Sequence, residues 1–327
     1  MAAINGGRGF RADPMNREEP MNSQQQSKAT DQPQATAWPV MVLAHNEERH
    51  IEACLDSIFA SDPDRAFDVY VMANGCTDRT EAIVQAYGSK RSDVHLVSIR
   101  MGDKCNAWNV FVHETVPQQC PGRQHYFFMD GDATAAPGAF KALARGLDQT
   151  PYAHAAAGVP LVGRNAQRDR DAMVREHALV ANLYALRTSF VDRLQELGVR
   201  VPLKLEGDDG MIGAFVKWNL DPVNNGTDDQ RVVVCTDAGF RFVQFTPMRM
   251  GDWVTYWKRA VRYGRRNYEF RLLGPLIESK GLAAVPTDVT DIYSMAQGLT
   301  LRWQGLYTAT NWVALRQMRR IGRKSRI

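Results

Sequence analysis

Residues 127–136 read FFMDGDATAA, an apolar strand-like run that ends in two aspartates separated by one glycine. In an extended chain, side chains two positions apart point to the same side, so Asp130 and Asp132 are placed to face one ligand. Two carboxylates that close repel unless a proton or a cation stands between them. A hard divalent cation, bound by one or two carboxylates and by phosphate oxygens, would satisfy the pair. Such an ion also neutralises a departing diphosphate. The local alternative is a turn, because Asp-Gly-Asp is ordinary turn chemistry. A second acidic stretch, EGDDGMIGAF at 206–215, brings Glu206, Asp208 and Asp209 to the head of a helical pattern. There the competing reading is an acidic helix N-terminus.

Regular elements must position these groups. PVMVLA (39–44), FDVYVMA (67–73), VHLVSI (94–99) and HYFFMD (125–130) are short apolar runs of the kind that form buried strands. Between the first two, Ile51, Leu55, Ile58 and Phe59 recur at helical spacing; Asn46 is placed to cap that helix, with Glu47 and Glu48 at its positive end. After NGCTDRT, Ile83, Val84 and Tyr87 carry a second helix, and a third is expected from about Lys104 to Glu114. Alternating strands and helices predict right-handed βαβ units, a mostly parallel central sheet and helices on both faces. Ligands of such sheets sit at the carboxyl ends of the strands. Asn46 and Glu47, Asn74 and Asp78, and Asp130 and Asp132 all fall there. Further on, 168–197 reads as a long helical pattern, 231–245 as a hairpin, and 251–273 as a basic, aromatic-rich helix.

The chain has 327 residues, 44% of them apolar, and a net charge of +4, so it does not read as a nucleic-acid-binding protein. Residues 1–36 are polar and are expected to be disordered. The rest divides into a part of regularly alternating strands and helices (37–150), a less regular part (151–275) and a helical, basic tail (276–327). From Val313 onward there are six basic residues and no acid, which suits an anionic membrane surface or a phosphate-rich partner, although a solvated tail looks the same. No apolar run reaches the roughly 18 residues of a spanning helix. The five cysteines show no CxxC spacing, which points to free thiols in a reducing cytoplasm, with peripheral attachment to the inner membrane face as the variant. His45, His113 and His177 are not near one another in sequence and read as core or surface histidines.

Four stretches in order, PVMVLAHNEERHIEACLDSI, VYVMANGCTDRTEAIV, MGDKCNAWNVF and FFMDGDATAAPGAF, together resemble glycosyltransferase family 2, whose members have the GT-A fold. The resemblance spans about Pro39 to Tyr268. It implies an enzyme that moves a sugar from a nucleotide-diphosphate donor, with a UDP-sugar expected, to a glycan or lipid-linked acceptor. It implies Mn²⁺ or Mg²⁺ as cofactor, and surface polysaccharide or lipid-linked glycan synthesis as the setting. By the same resemblance Ala44, His45, Asn46, Glu47, Asn74 and Asp78 line the base and ribose. Lys104 approaches the diphosphate, Asp130 contacts the ribose or the metal, and Asp132 is the principal metal carboxylate. Ala73 stands where the family pattern carries an aspartate, a departure at the base-binding position.

Transfer with inversion also needs a base for the acceptor hydroxyl. Matching Asp208-Asp209 to the family's Glu-Asp pair makes Asp209 that base, with Asp208 and Glu206 as alternatives. Arg259, Arg262 and Tyr263 weakly resemble the family's QxxRW motif and are candidates for contact with the acceptor or the diphosphate. Two other functions fit some of the same residues. In a haloacid-dehalogenase-type phosphatase, Asp130 would be the nucleophile, Asp132 the acid and Thr134 a phosphate ligand, with Lys204 further on. The other is an inactive nucleotide-sugar-binding protein, for which Ala73 is the best support.

Overall fold

The computed structural model describes residues 37–243 and 250–324. The segment expected to be disordered, 1–36, lies outside the described residues, as does the extreme C-terminus with Arg326. In chain order the strands are β1 (Trp38–Ala44), β2 (Phe67–Asn74), β3 (Val94–Ile99), β4 (His125–Asp130), β5 (Ala133–Ala135), β6 (Ala155–Pro160), β7 (Leu183–Arg187) and β8 (Val232–Phe242). The helices are α1 (Ile51–Ser61), α2 (Thr80–Gly88), α3 (Lys104–Val110), α4 (Val116–Gln119), α5 (Ala139–Gln149), α6 (Ala166–Glu176), α7 (Thr188–Glu196), α8 (Asp208–Lys217), α9 (Met250–Lys280) and α10 (Thr308–Lys324).

The strands form one sheet in the order β3-β2-β1-β4-β7-β6-β8-β5. Pairing is parallel from β3 through β4, and β7 then enters antiparallel to both β4 and β6. The sheet is therefore mixed, parallel where the βαβ units were expected. Val40, Val42, Val69, Val71, Phe127 and Met129 bury one face against α1 and α5. Met41, Tyr70, Met72 and Phe128 bury the other against α3 and the later helices. Both faces are covered, so the strands read as continuous apolar runs rather than as an alternation.

Three expectations are corrected. The long helical pattern at 168–197 is α6, then β7, then α7. Leu183, Tyr184, Ala185 and Leu186 are buried on both sides, and a fully buried strand carries no alternation to distinguish it from a buried helix. The hairpin at 231–245 is a single strand as far as Phe242; residues 244 and 245 lie outside the described residues. Asp237-Ala238-Gly239, which looks like a turn, is absorbed where the β6–β8 register shifts between Ala157 and Val159. Finally, Asn46 does not cap α1. The helix begins at Ile51, after His50, and a turn closed by the Glu47 carbonyl precedes it.

On one face an aromatic cluster joins sheet to helix. Phe127 lies 5.0 Å from Trp38 and 5.4 Å from Phe140 of α5, and Phe140 lies 5.2 Å from Phe67. On the other face Phe128 stacks on Tyr184 at 4.6 Å, and the Trp108 indole donates to the Tyr184 hydroxyl at 2.8 Å. This second cluster fixes α3, and so Lys104 at its start, against the strand that ends in Asp130. Phe140 is fully buried. Phe140→Ala is expected to cost about 3–5 kcal/mol of stability, measured by denaturant unfolding.

Candidate active site

A cleft of about 600 Å³ opens at the carboxyl ends of β1, β2 and β4. The loops that follow these strands are locked together before they meet any ligand. Asn46, at φ 58°, accepts the Thr77 and Asp78 amides with its side-chain oxygen at 2.7 and 3.3 Å. Asp78 accepts the Glu48 amide at 3.1 Å and the Thr80 amide at 3.0 Å. Burial would raise the Asp78 carboxyl, but the Thr80 hydroxyl at 2.6 Å, together with these amides, outweighs it and holds it below its usual range. Asn74 takes the Asp103 amide at 2.8 Å, and its carbonyl holds the His45 ring at 2.5 Å. Asp103 in turn caps α3 through the Asn106 amide at 3.0 Å and takes the Lys204 amide at 2.7 Å. Gly75, at φ +60°, packs so tightly that an added Cβ would lie 2.6 Å from Gly102 Cα.

The acidic pair does not continue the strand. β4 ends at Asp130, and Gly131 and Asp132 form a turn before β5. Both carboxylate residues nevertheless line the cleft. The glycine between them is dictated by space: its amide donates to the Leu43 carbonyl at 2.8 Å, and a Cβ there would come within 2.9 Å of that oxygen. The opening motif is thus both a turn and a cleft-lining pair.

Lys104 Nζ lies 3.2 Å from Asp130 and 3.4 Å from Asp208, joining the sheet to the start of α8. Burial alone would lower the lysine, but Asp130, Asp208 and Asp209 outweigh it and raise it. Burial pushes the Asp130 carboxyl up to about 6; Lys104 opposes this, while Asp132 and Asp208 add to it. Glu47 is raised by burial and by Asp132, against the hydrogen bond with His50 at 2.9 Å. Asp209 is also raised, first by burial and then by Asp208; it pairs with Arg266 at 3.2 Å and accepts the Gly210 amide.

Of the residues expected at the site, Glu47, Asn74, Lys104, Asp130 and Asp132 line the cleft together, with His45, Glu206 and Arg262. Arg259 and Tyr263 line a small adjoining cavity with Glu206, Arg262 and Arg266. Ala44, Asn46, Asp78, Asp208 and Asp209 are not cleft-lining residues. Ala44 is buried against Gly131, Asn46 and Asp78 tie the two loops together, and Asp208 and Asp209 stand behind Lys104 and Arg266. His113 and His177 bond the backbone carbonyls of Val199 and Val232, as structural histidines do.

The sequence reading missed the far wall. Thr290, Tyr293 and Ile321, all from the segment taken as a basic tail, line the cleft. Behind them Glu269 is fully buried; it accepts the Tyr293 hydroxyl and the Glu206 amide, and Arg265 pairs with Glu206. Burial pushes Glu269 up to about 7, against the bonds from Tyr293 and Glu206 and the charge of Arg265. The available signal was a glutamate set between Tyr268 and Phe270 in a basic helix.

The fold is that of the GT-A glycosyltransferases. Residues 40–198 match the family described as glycosyl transferase family 2; the chain carries that domain and is a glycosyltransferase. Among solved structures it is similar to the mannosyltransferase PcManGT from Pyrobaculum calidifontis, in complex with GDP-Man and Mn²⁺, at 17% identity over 88% of this chain and 86% of that one, with a TM-score of 0.52. It also matches S. aureus TarS 1-349 at 15% identity, 82% and 94% coverage and a TM-score of 0.46. A third match is glucosyl-3-phosphoglycerate synthase from Mycobacterium tuberculosis, at 16% identity, 67% and 75% coverage and a TM-score of 0.45. Among curated proteins none matches the sequence.

Gly131→Ala is expected to push the acidic turn off β1. Turnover should fall about ten-fold or more for a stability loss of only about 1–3 kcal/mol, as followed by activity and melting on the same samples. Glu269 generates a pH prediction. Between its ordinary value of 4.5 and about 7, the folded chain keeps a proton that the unfolded chain has released. This group's contribution to stability therefore falls as pH rises through that window. The melting temperature of Glu269→Gln, relative to the parent protein, should rise from pH 5 to pH 8; parallel profiles would contradict the assignment.

Proposed function

We propose that the protein is an inverting, metal-dependent glycosyltransferase that moves a sugar from a nucleotide-diphosphate donor to an acceptor hydroxyl. One observation carries this reading: Lys104, Asp130 and Asp132 meet in a single cleft at the strand ends, with Lys104 held between Asp130 and Asp208. A UDP-sugar is the expected donor. The 37–150 half would hold the nucleotide, and the 151–275 half would meet the acceptor.

The residues fit a divalent ion. Asp130 and Asp132 offer hard oxygen donors, and Asp132 adds negative charge felt by both Glu47 and Asp130. Among the described residues, no three metal-ligating side chains gather at one point. The protein would therefore supply one or two carboxylates, and the donor's phosphate oxygens would supply more, which is how Mg²⁺ is usually held beside phosphates. When bound, the ion contributes charge neutralisation at the diphosphate.

The protein's own groups do the rest. Lys104 offers positive charge to the diphosphate. Asp209 lies outside the cleft lining, paired with Arg266; with its carboxyl raised, it takes the proton of an acceptor hydroxyl that reaches it past Arg266. The hydroxyl oxygen bonds to the anomeric carbon as the bond to the diphosphate breaks, and the bonding pair leaves with the diphosphate. One displacement from the opposite face inverts the centre.

The phosphatase reading loses its phosphate ligand. Thr134 lies in β5, opposite Arg241 of β8, and Lys204 is paired with Asp288. For the setting, we favour a glycan or lipid-linked acceptor in surface polysaccharide synthesis, at the cytoplasmic face of a membrane. Among the described residues no helix is long and apolar enough to cross a membrane. Arg316, Arg320 and Arg323 are exposed on α10, which supports peripheral contact with anionic lipid.

Asp132→Ala should abolish turnover and weaken donor binding, and a chelator should do the same to the parent protein. Asp209→Asn should lower kcat by about 10²–10⁴ while donor affinity stays within about three-fold. Calorimetric titration with UDP-, GDP-, dTDP- and CMP-sugars, with and without Mn²⁺, checks both. If Asp208→Asn rather than Asp209→Asn abolishes turnover with donor binding intact, the base is Asp208.

A further inference from the structure

Arg266 of α9 is seated across Asp209. Its guanidinium lies 3.2 Å from Oδ1, the same oxygen that accepts the Gly210 amide at 2.8 Å. The seat leaves room for nothing else. A Cβ at Gly207 would come within 2.6 Å of Arg266 Nε, and one at Gly210 within 3.1 Å of its Nη2. The Phe270 ring adds an aromatic contact, its centroid 5.9 Å from the guanidinium carbon. The two glycines that flank Asp208-Asp209 in EGDDG are therefore matched to an arginine on another helix.

The second observation is which of the two groups stands in front. Arg266 lines the small cavity beside the cleft, with Glu206 and Arg262, and Asp209 does not. The Arg266 side chain is 35% exposed, against 17% for Asp209. The arginine is on the solvent side of the carboxylate. A base that serves an activated donor also takes a proton from water unless water is kept from it, and the donor is then wasted by hydrolysis.

We infer that Arg266 reserves Asp209 for the acceptor. It is a positioning residue that holds the carboxylate by Oδ1 and screens it from water until an acceptor, offering its own oxygens, draws the guanidinium aside. This rests on the reading of Asp209 as the base and adds how that base distinguishes an acceptor hydroxyl from water. Without Arg266, a water molecule gives its proton to Asp209 and its oxygen bonds to the anomeric carbon. The bond to the diphosphate breaks, the electron pair leaves on the diphosphate, and the products are free sugar and nucleoside diphosphate.

The test measures nucleoside diphosphate release from UDP-glucose and from GDP-mannose, each with Mn²⁺ and without acceptor, on the full chain. Donor binding is followed by calorimetry on the same samples. Arg266→Ala should release the diphosphate about ten-fold or more faster than the parent protein. Gly210→Ala keeps the charge but crowds the guanidinium off its seat; it should raise release in the same direction, and it decides the matter if Arg266→Ala does not fold. Adding Asp209→Asn to Arg266→Ala should return release to the parent's level or below. An ion pair that only tied α8 to α9 would lower the melting temperature on removal and leave release where it was. Release no faster than the parent's in a folded variant that still binds donor overturns this inference alone. Fast release that survives Asp209→Asn sinks the reading of Asp209 as the base, and failure of both nucleotide sugars to bind the parent protein sinks the donor-site reading.

Discussion

Charge compensation around Lys104 is the constraint on which the site depends. Asp130 and Asp208 approach Lys104 from two elements, and Asp132 and Asp209 add charge felt by Asp130 and by Lys104, in a region dry enough to push Asp130 up to about 6. Carboxylates crowded and desolvated in this way would protonate or separate without a cation among them. Lys104 lies within 3.4 Å of carboxylates from two different elements, β4 and α8. Arg265 and Arg266 repeat the arrangement one layer out, against Glu206 and Asp209.

Positioning Lys104 takes much of the fold. The residue opens a helix capped by Asp103, and Asp103 is also held by Asn74 at the end of β2 and by the Lys204 amide. One turn on, Trp108 is fixed by its bond to Tyr184, which stacks on Phe128. Phe128 is two residues before Asp130 on the same strand. The apolar core and the charged cleft are therefore two ends of one packed unit, and small displacements in the first are felt in the second.

The later part of the chain does more than extend the domain. α9 and α10 lie outside the matched residues 40–198, yet Arg262, Arg265 and Ile321 line the cleft. Arg319, which reads as part of a solvated basic tail, donates to the carbonyls of Ala296 and Leu299 and so fastens α10 to the segment carrying Tyr293. Part of the charge at the C-terminus is structural, and Arg316, Arg320, Arg323 and Lys324 are exposed.

The sequence by itself determined the parallel βαβ half and the groups at its strand ends. Apolar runs of strand length, helical spacing of Ile51, Leu55 and Ile58, and polar residues at the junctions are local signals that need no distant contact. The same signals could not separate the cleft-lining groups from those that stand outside it. Asn46 and Asp78 occupy the same junctions as Glu47 and Asn74, yet their hydrogen bonds close the loops on each other. Nor could they show that 168–197 contains β7, or that Asp237-Ala238-Gly239 is a bulge, because burial on both faces and register shifts are set by neighbouring strands. Only the tertiary structure decided which cation answers which carboxylate, since Lys104 and Asp208 are far apart in sequence and Glu269 acquires its environment from Tyr293 and Glu206. Electrostatic energies depend on distance and on exclusion of water, and both exist only once the chain has folded.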